Sequence, residues 1–280
     1  MNFKRRIEIK KMANVDSNST QDSKPRVVMK VDSIGMVFQN PDMTDLIALG
    51  EVSFNLKEHE ILAVVGPSGC GKTTIFNVIA GLIEPTKGSV HVQEKLVQGA
   101  VGQVGYMLQK DMLLPWRTVI ENVILGLEVR GVSDKLAREK AMQLIEAYGL
   151  KGFENNLPTT LSGGMRQRVA FMRTLAFDPD VILLDEPFSA LDFQTRILLQ
   201  GEVMKIIRER GKSAILVTHD ISEAITMADR VLVLSHRPSY VKKIYDIELS
   251  LSDRDPVHIR KNLEYQKYFD QIWTDLEIQI

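Results

Sequence analysis

The chain holds a single cysteine, Cys70, among 280 residues. That excludes a disulfide within the chain and points to a reducing compartment. No unbroken apolar run approaches the ~18 residues a membrane-spanning helix needs, so any part played at a membrane must come through a partner. Charge of one sign is missing too. The 35 Lys and Arg face 36 Asp and Glu, a net of −1, which removes the global electrostatic case for nucleic acid. Internal repeats and low-complexity blocks are absent. What remains is 44% hydrophobic and 25% charged, a globular composition with room for one large α/β domain or a core with a subdomain.

Residues 1–26 read as a disordered polar and basic tail. "MNFKRRIEIKKM" carries five Lys/Arg against one Glu but lacks the apolar centre of a secretory signal. "NVDSNSTQDSKP" is polar throughout. Beyond it, "RVVMKVDSIGMVF" and "EVSFNLKEHEILAVVG" read as strands parted by the turn-rich "QNPDMTD". "TTIFNVIAGLIEP" follows as a helix stopped by Pro85, and "GSVHVQ" and "VGYMLQ" are further strands. Then the character changes. "TVIENVILGLEVRG" and "SDKLAREKAMQLIEAYGL" are helical, the second with Ser133 as N-cap and Gly149 just past its end. No strand recurs until "DVILLDEP", which marks about 112–175 as a helical insertion. Helix, strand "SAILVTHD", short helix and strand "RVLVLS" then alternate, implying an α/β core with a mostly parallel sheet. Residues 251–280 read as a helical C-terminal tail.

"EILAVVGPSGCGKTT" joins an apolar strand to a helix through G-x-x-x-x-G-K-T. Gly66, Gly69 and Gly71 let backbone N–H groups curl round phosphate oxygens where a Cβ would clash. Lys72 reaches the β- and γ-phosphates, and Thr73 offers its hydroxyl to Mg²⁺. Cys70 reads as a small residue the loop tolerates. "VILLDEP" ends a buried strand in two acids, at the strand edge where open α/β sheets place ligand chemistry. Asp185 there can hold Mg²⁺, leaving Glu186 to polarise an attacking water. Gln109 and His219 stand at the ends of two more strands. A Gln so placed can ligate the metal or orient the water, and a neutral His can bond the γ-phosphate.

A second phosphate cradle is the puzzle. "LSGGMRQRVA" opens a helix with Ser162, Gly163 and Gly164, ninety residues after Lys72. Its free N–H groups suit an anion that the first loop already serves. Met165, Val169 and Met172 fall on one face behind it and should bury.

Together, "GPSGCGKTT", "LQ" at 108–109, "LSGGMRQ", "LLDEP", "SALD" at 189–192 and "TH" at 218–219 resemble the ATP-binding cassette (ABC) transporter ATPases, in order and in spacing. The likeness spans about residues 27–250. It implies a P-loop NTPase core with a mostly parallel sheet, an antiparallel β subdomain and an inserted helical subdomain, using ATP and Mg²⁺. It implies a head-to-tail homodimer in which each ATP lies between one chain's phosphate loop and the other's "LSGG". That accounts for two cradles in one chain. The resemblance assigns nucleotide contacts to Phe38, to Gly66, Pro67, Ser68, Gly69, Cys70, Gly71, Lys72, Thr73 and Thr74, and to Leu161, Ser162, Gly163, Gly164, Gln167 and Asp192. Phe38 is the match to the family's adenine-stacking aromatic. Metal contacts fall to Thr73, Asp185 and Gln109, and catalysis to Glu186, His219 and Gln109.

"DMLLPWRTVIENV" narrows the likeness to importers of the nitrate, sulfonate and taurine type, with some thiamine-precursor systems, where a Leu-Pro-Trp sits at the place that receives the coupling helix of a membrane permease subunit. Trp116 then forms an apolar knob; the alternative is a Trp filling the insertion's own core. The reading implies an extracellular solute-binding protein as an indirect partner, no nucleic acid, and a place on the cytoplasmic face of the membrane. An exporter ATPase, or a soluble cassette acting on ribosome or DNA, is the rival.

Overall fold

The computed structural model describes residues 26–39, 45–99, 102–250, 254 and 256–276. The expected polar tail lies almost wholly outside them. Four five-residue strands form the centre: β3 (Ile61–Val65), β7 (Val181–Asp185), β8 (Ser213–Val217) and β9 (Arg230–Leu234). All their residues but Arg230 are buried. Strands apolar on both faces need cover on both sides, and pair in parallel when helices supply it. β3 lies parallel to β8 and β9, β8 to β7, and β7 to β6 (Val104–Met107). Successive side chains part to opposite faces. Ile61, Ala63 and Val65 enter one core and Leu62 and Val64 the other.

The first core is closed by α2 (Val119–Val129), α3 (Asp134–Ala147), α4 (Gly163–Leu175), α5 (Phe193–Glu209), α6 (Ile221–Met227) and α7 (Leu263–Asp275). The second is closed by α1 (Lys72–Ile79) and by the strands β1 (Val27–Gln39), β2 (Asp45–Lys57) and β4 (Lys87–Val92). These three pair antiparallel, with the short β5 (Lys95–Leu96) at their edge. The antiparallel part is not a detached sheet. β10 (Ser239–Asp246) runs antiparallel to β9 and parallel to β2, joining the ten strands of the described residues in the order β5-β4-β1-β2-β10-β9-β3-β8-β7-β6.

Three local expectations change. α1 ends at Ile79, well before Pro85, because Gly81 at φ 71 turns the chain where a Cβ would lie 2.1 Å from the Gly99 carbonyl. Ser133 stands at the N-cap of α3, but its side chain makes no capping bond. On α4, Val169 and Met172 are fully buried while Met165 is only partly so.

Candidate active site

The parallel strands end on one edge, and the chemical groups follow directly after them. β3 runs into the loop Gly66–Gly71 and then α1. The N-cap of α1 is Gly71, with no side-chain cap, so the helix presents bare N–H groups. Lys72 Nζ donates to the carbonyls of Gly66 (2.7 Å) and Pro67 (3.0 Å), folding the amine over the loop. Ser68, Gly69 and Thr73 are exposed, and Thr74 is half-buried. Cys70 is buried, and burial pushes its thiol up, as suits packing rather than reactivity.

β7 ends at Asp185, which is buried. Tyr106 Oη, on β6, lies 3.3 Å from Asp185 Oδ2. Burial above all, with the charge of Glu186, raises this carboxyl against the pull of Tyr106 and Lys72. A buried carboxylate with no ion pair among the described residues, in a chain whose phosphate loop leaves Thr73 exposed, fits Mg²⁺. The described residues hold no cluster of three or more His, Cys, Asp or Glu, so the rest of the metal's shell would come from phosphate and water.

Glu186 adopts φ 43, a left-handed backbone that costs a non-glycine residue about 1–3 kcal/mol. Its N–H donates to the Val217 carbonyl at 2.9 Å, locking it to β8. The kink turns its side chain away from Asp185 and toward two neighbours. Gln109 Nε2 donates to Glu186 Oε2 at 2.9 Å, and His219 Nδ1 lies 3.3 Å from the same oxygen. Thus Gln109, Glu186 and His219, spread over 110 residues of sequence, converge on one carboxylate oxygen.

The second cradle is held elsewhere. Ser162 caps α4, its Oγ accepting from Met165 N at 3.3 Å. A Cβ on Gly164 would lie 2.8 Å from Thr195 Cγ2, so this loop is pressed against its own α5. Leu161 is buried and its carbonyl accepts from Arg166 Nη1 at 2.7 Å. Asp192 caps α5 at the surface, its carboxyl held below the usual range by bonds to Thr195. Among the described residues, no hydrogen bond or ion pair links Ser162–Gly164 to Gly66–Thr74.

Two expected contacts stand differently from the rest. Gln167 is buried at 5% exposure with Oε1 unpaired, two residues from the buried Val169. Phe38, at the end of β1, is 39% exposed opposite Leu46. The stretch "LIALG" after it belongs to β2, which brings the gap between the strands down to residues 40–44.

Four supports lie outside the residues singled out in the sequence. Tyr106 is one; its signal was an aromatic three residues before Gln109. Arg166 pairs with Asp111 at 3.1 Å and Arg173 donates to the carbonyls of Asp111 and Met112, tying the segment after Gln109 to α4. Asn122, fully buried, exchanges hydrogen bonds with Leu114 and donates to the carbonyls of Arg117 and Thr118. It thereby pins the turn that displays Trp116. Trp116 is 72% exposed, which removes the alternative of a Trp buried in the insertion's core.

A loop-to-helix phosphate cradle, a buried strand-end acid with a second acid beside it, and a further glycine-rich helix start packed on α5 define a nucleoside triphosphate hydrolase of the P-loop class. The family model described as ABC transporter matches residues 49–189. An ABC transporter ATP-binding protein of Methanocaldococcus jannaschii is 43% identical over 260 residues, 93% of this chain and 96% of that one. A taurine import ATP-binding protein of Pelagibacter ubique is 38% identical over 244 residues, 86% of this chain and 92% of the relative. A dimeric ATP-binding cassette solved in a post-hydrolysis state with ADP and Pi superposes with a TM-score of 0.70 at 30% identity, covering 79% of this chain and 100% of that one. The chain belongs to the ABC transporter family, as an ATP-hydrolysing cassette that takes ATP with Mg²⁺.

Buried behind this site is an acid the reading did not include. Glu223 is 6% exposed, and its carboxyl is pushed up to about 8, burial being the chief cause. The folded chain therefore prefers the neutral acid. The stability this preference carries is complete below the ordinary value of 4.5 and is lost as pH rises through about 8. Thermal melts should show wild type and Glu223→Gln alike near pH 4, with wild type falling progressively behind toward pH 8. Parallel curves over that range would contradict the burial of an ionisable carboxyl here.

Proposed function

We propose that this chain is the ATP-hydrolysing subunit of a membrane importer for a small anionic or sulfonate-like solute, working as a head-to-tail dimer of two copies. The importer reading is supported by taurine import relatives, one of them covered over 92% of its length, and by the displayed Trp116. The observation that supports the dimer is the placing of Ser162–Gly164 against their own α5, with no hydrogen bond or ion pair to their own phosphate loop among the described residues. A second copy would bring that cradle to the γ-phosphate.

In this reading residues 27–250 are the ATPase domain. Lys72 and the N–H groups of Gly66 and of Ser68 to Thr74 grip the phosphates of one nucleotide beside Pro67, while Phe38 stacks on its base. Thr73, Asp185 and Gln109 hold the magnesium, which when bound neutralises charge on the phosphate oxygens. Glu186 takes the proton of the attacking water, and Gln109 and His219 hold its carboxylate in place. Ser162 donates to the γ-phosphate of the partner's nucleotide, with Gly163 and Gly164 allowing close approach. Asp192 crosses the seam. Closure on ATP and opening after hydrolysis then pass to the membrane subunits through the helical insertion.

The chain lies on the cytoplasmic face of the membrane, attached through permease subunits that receive solute from an external binding protein. None of its described helices is long and apolar enough to cross a membrane. Trp116 and the exposed Met112 and Pro115 form the contact, on a segment kept rigid by Asn122. Trp116→Ala should leave ATP turnover of the isolated chain within about twofold of wild type, because Trp116 touches nothing in the site. Its recovery with permease subunits in detergent pull-downs should drop sharply. Full recovery of the assembly by the variant would remove Trp116 from the contact.

A further inference from the structure

Arg196 occupies the space between two turns that the site uses for different ends. Its N–H donates to the Asp192 carbonyl at 2.9 Å in the first turn of α5, and its side chain folds back over that turn. Nη2 donates to the Leu191 carbonyl at 3.0 Å, holding the residue before Asp192. On the other side Nη1 lies 3.9 Å from Asp220 Oδ2, in the residue after His219. Asp220 is itself anchored: Oδ1 accepts from Ser222 N and Glu223 N, and its own N–H donates to Thr218 Oγ1. Thr218 Oγ1 donates in turn to Glu223 Oε2 at 2.9 Å.

The bridge is only half made. Arg196 Nε and Glu223 Oε1 are both buried and unpaired, and both residues line a cavity of about 160 Å³ with Gln200 and Asp220. Unsatisfied buried polar groups are costly, and their survival in one place calls for a reason. A guanidinium with one firm backbone bond and one long ion pair has a second arrangement within reach, drawn closer to Asp220 and Glu223. Moving between them would carry Leu191–Asp192 and Thr218–His219 together, a two-state element that both turns bias.

We infer that Arg196 is a positioning residue that couples the Asp192 turn to the His219 turn within one protomer, so that docking of Asp192 on a second copy holds His219 in the place it already takes beside Glu186. The inference rests on the shared-site reading. It makes Arg196 part of how a cassette senses that its partner has closed before hydrolysis begins.

Steady-state ATP turnover and equilibrium ATP binding of the full chain test it, in Arg196→Met, Arg196→Lys, Asp220→Asn and the Arg196→Met/Asp220→Asn double variant. Arg196→Met should lower kcat about tenfold with ATP affinity within about twofold. Arg196→Lys should recover part of the loss, since an ammonium can still serve the Leu191 carbonyl but not both partners in a fixed fork. Asp220→Asn keeps the α6 cap, because Asn caps as well as Asp, and should lose kcat to a similar degree. The double variant should be no worse than the worse single one. If Arg196→Met does not fold, Arg196→Lys and Asp220→Asn read the same coupling. Turnover within about twofold of wild type in the single variants, or losses that multiply in the double, would overturn it. Wild-type turnover that Glu186→Gln abolishes keeps the proposed function standing in that event. A wild-type chain without ATP turnover overturns both.

Discussion

Glu186→Gln is expected to slow ATP turnover at least a hundredfold, on the order of a general base's usual contribution, with ATP affinity within about threefold of wild type. The substitution keeps the side chain's length and planarity, and so leaves the kinked turn and its bond to Val217 in place. It removes the charge that takes a proton from water. Asp185, Thr73 and Lys72 are untouched, so the groups that would hold nucleotide and metal remain. With binding intact and the chemical step stalled, the ATP-bound dimer should accumulate. Turnover rates by phosphate release and affinities by fluorescent nucleotide separate the two effects. Unchanged turnover would take Glu186 out of the mechanism.

Lys72→Ala and Ser162→Arg should each be nearly inactive alone, and a mixture of the two should regain activity. Lys72→Ala removes the cation nearest the loop carbonyls of Gly66 and Pro67. Ser162→Arg replaces the small cap of α4 with a bulky side chain at the mouth of the second cradle. In a heterodimer both defects fall in one site, and the other receives an intact phosphate loop from one copy and an intact cradle from the other. Random 1:1 pairing with independent sites gives about a quarter of wild-type activity. Phosphate release from mixtures incubated long enough to exchange copies is the measurement. Mixtures no better than either variant alone would mean that the two cradles do not act across a seam.

The centre of the fold was legible because its strands are short, wholly apolar and end in chemistry. "DVILLDEP" holds β7, and "EVSFNLKEHEILAVVG" holds β3 just before the phosphate loop, though the structure divides that stretch between β2 and β3. β10 was not legible. Its buried residues are few and irregularly spaced along "SYVKKIYD", because it bridges two parts of a sheet and takes its pairing from β9 and β2. The end of α1 was misplaced because Pro85 was the louder signal, though Gly81 had already stopped the helix. Residue types named the members of the site, but only the structure shows Gln109 and His219 meeting on one oxygen of Glu186. Tyr106 meets Asp185, and Arg196 meets Asp220, across stretches of chain that no local pattern spans.

The most direct test of a nucleotide shared between two copies is the solution mass of the Glu186→Gln chain by light scattering, with Mg²⁺ and saturating ATP, alongside a count of bound nucleotide. The account predicts a species of twice the single-chain mass holding two ATP, which falls back to one chain when Ser162→Arg is added to Glu186→Gln. A stable single chain that keeps its ATP equally well with and without Ser162→Arg would contradict it.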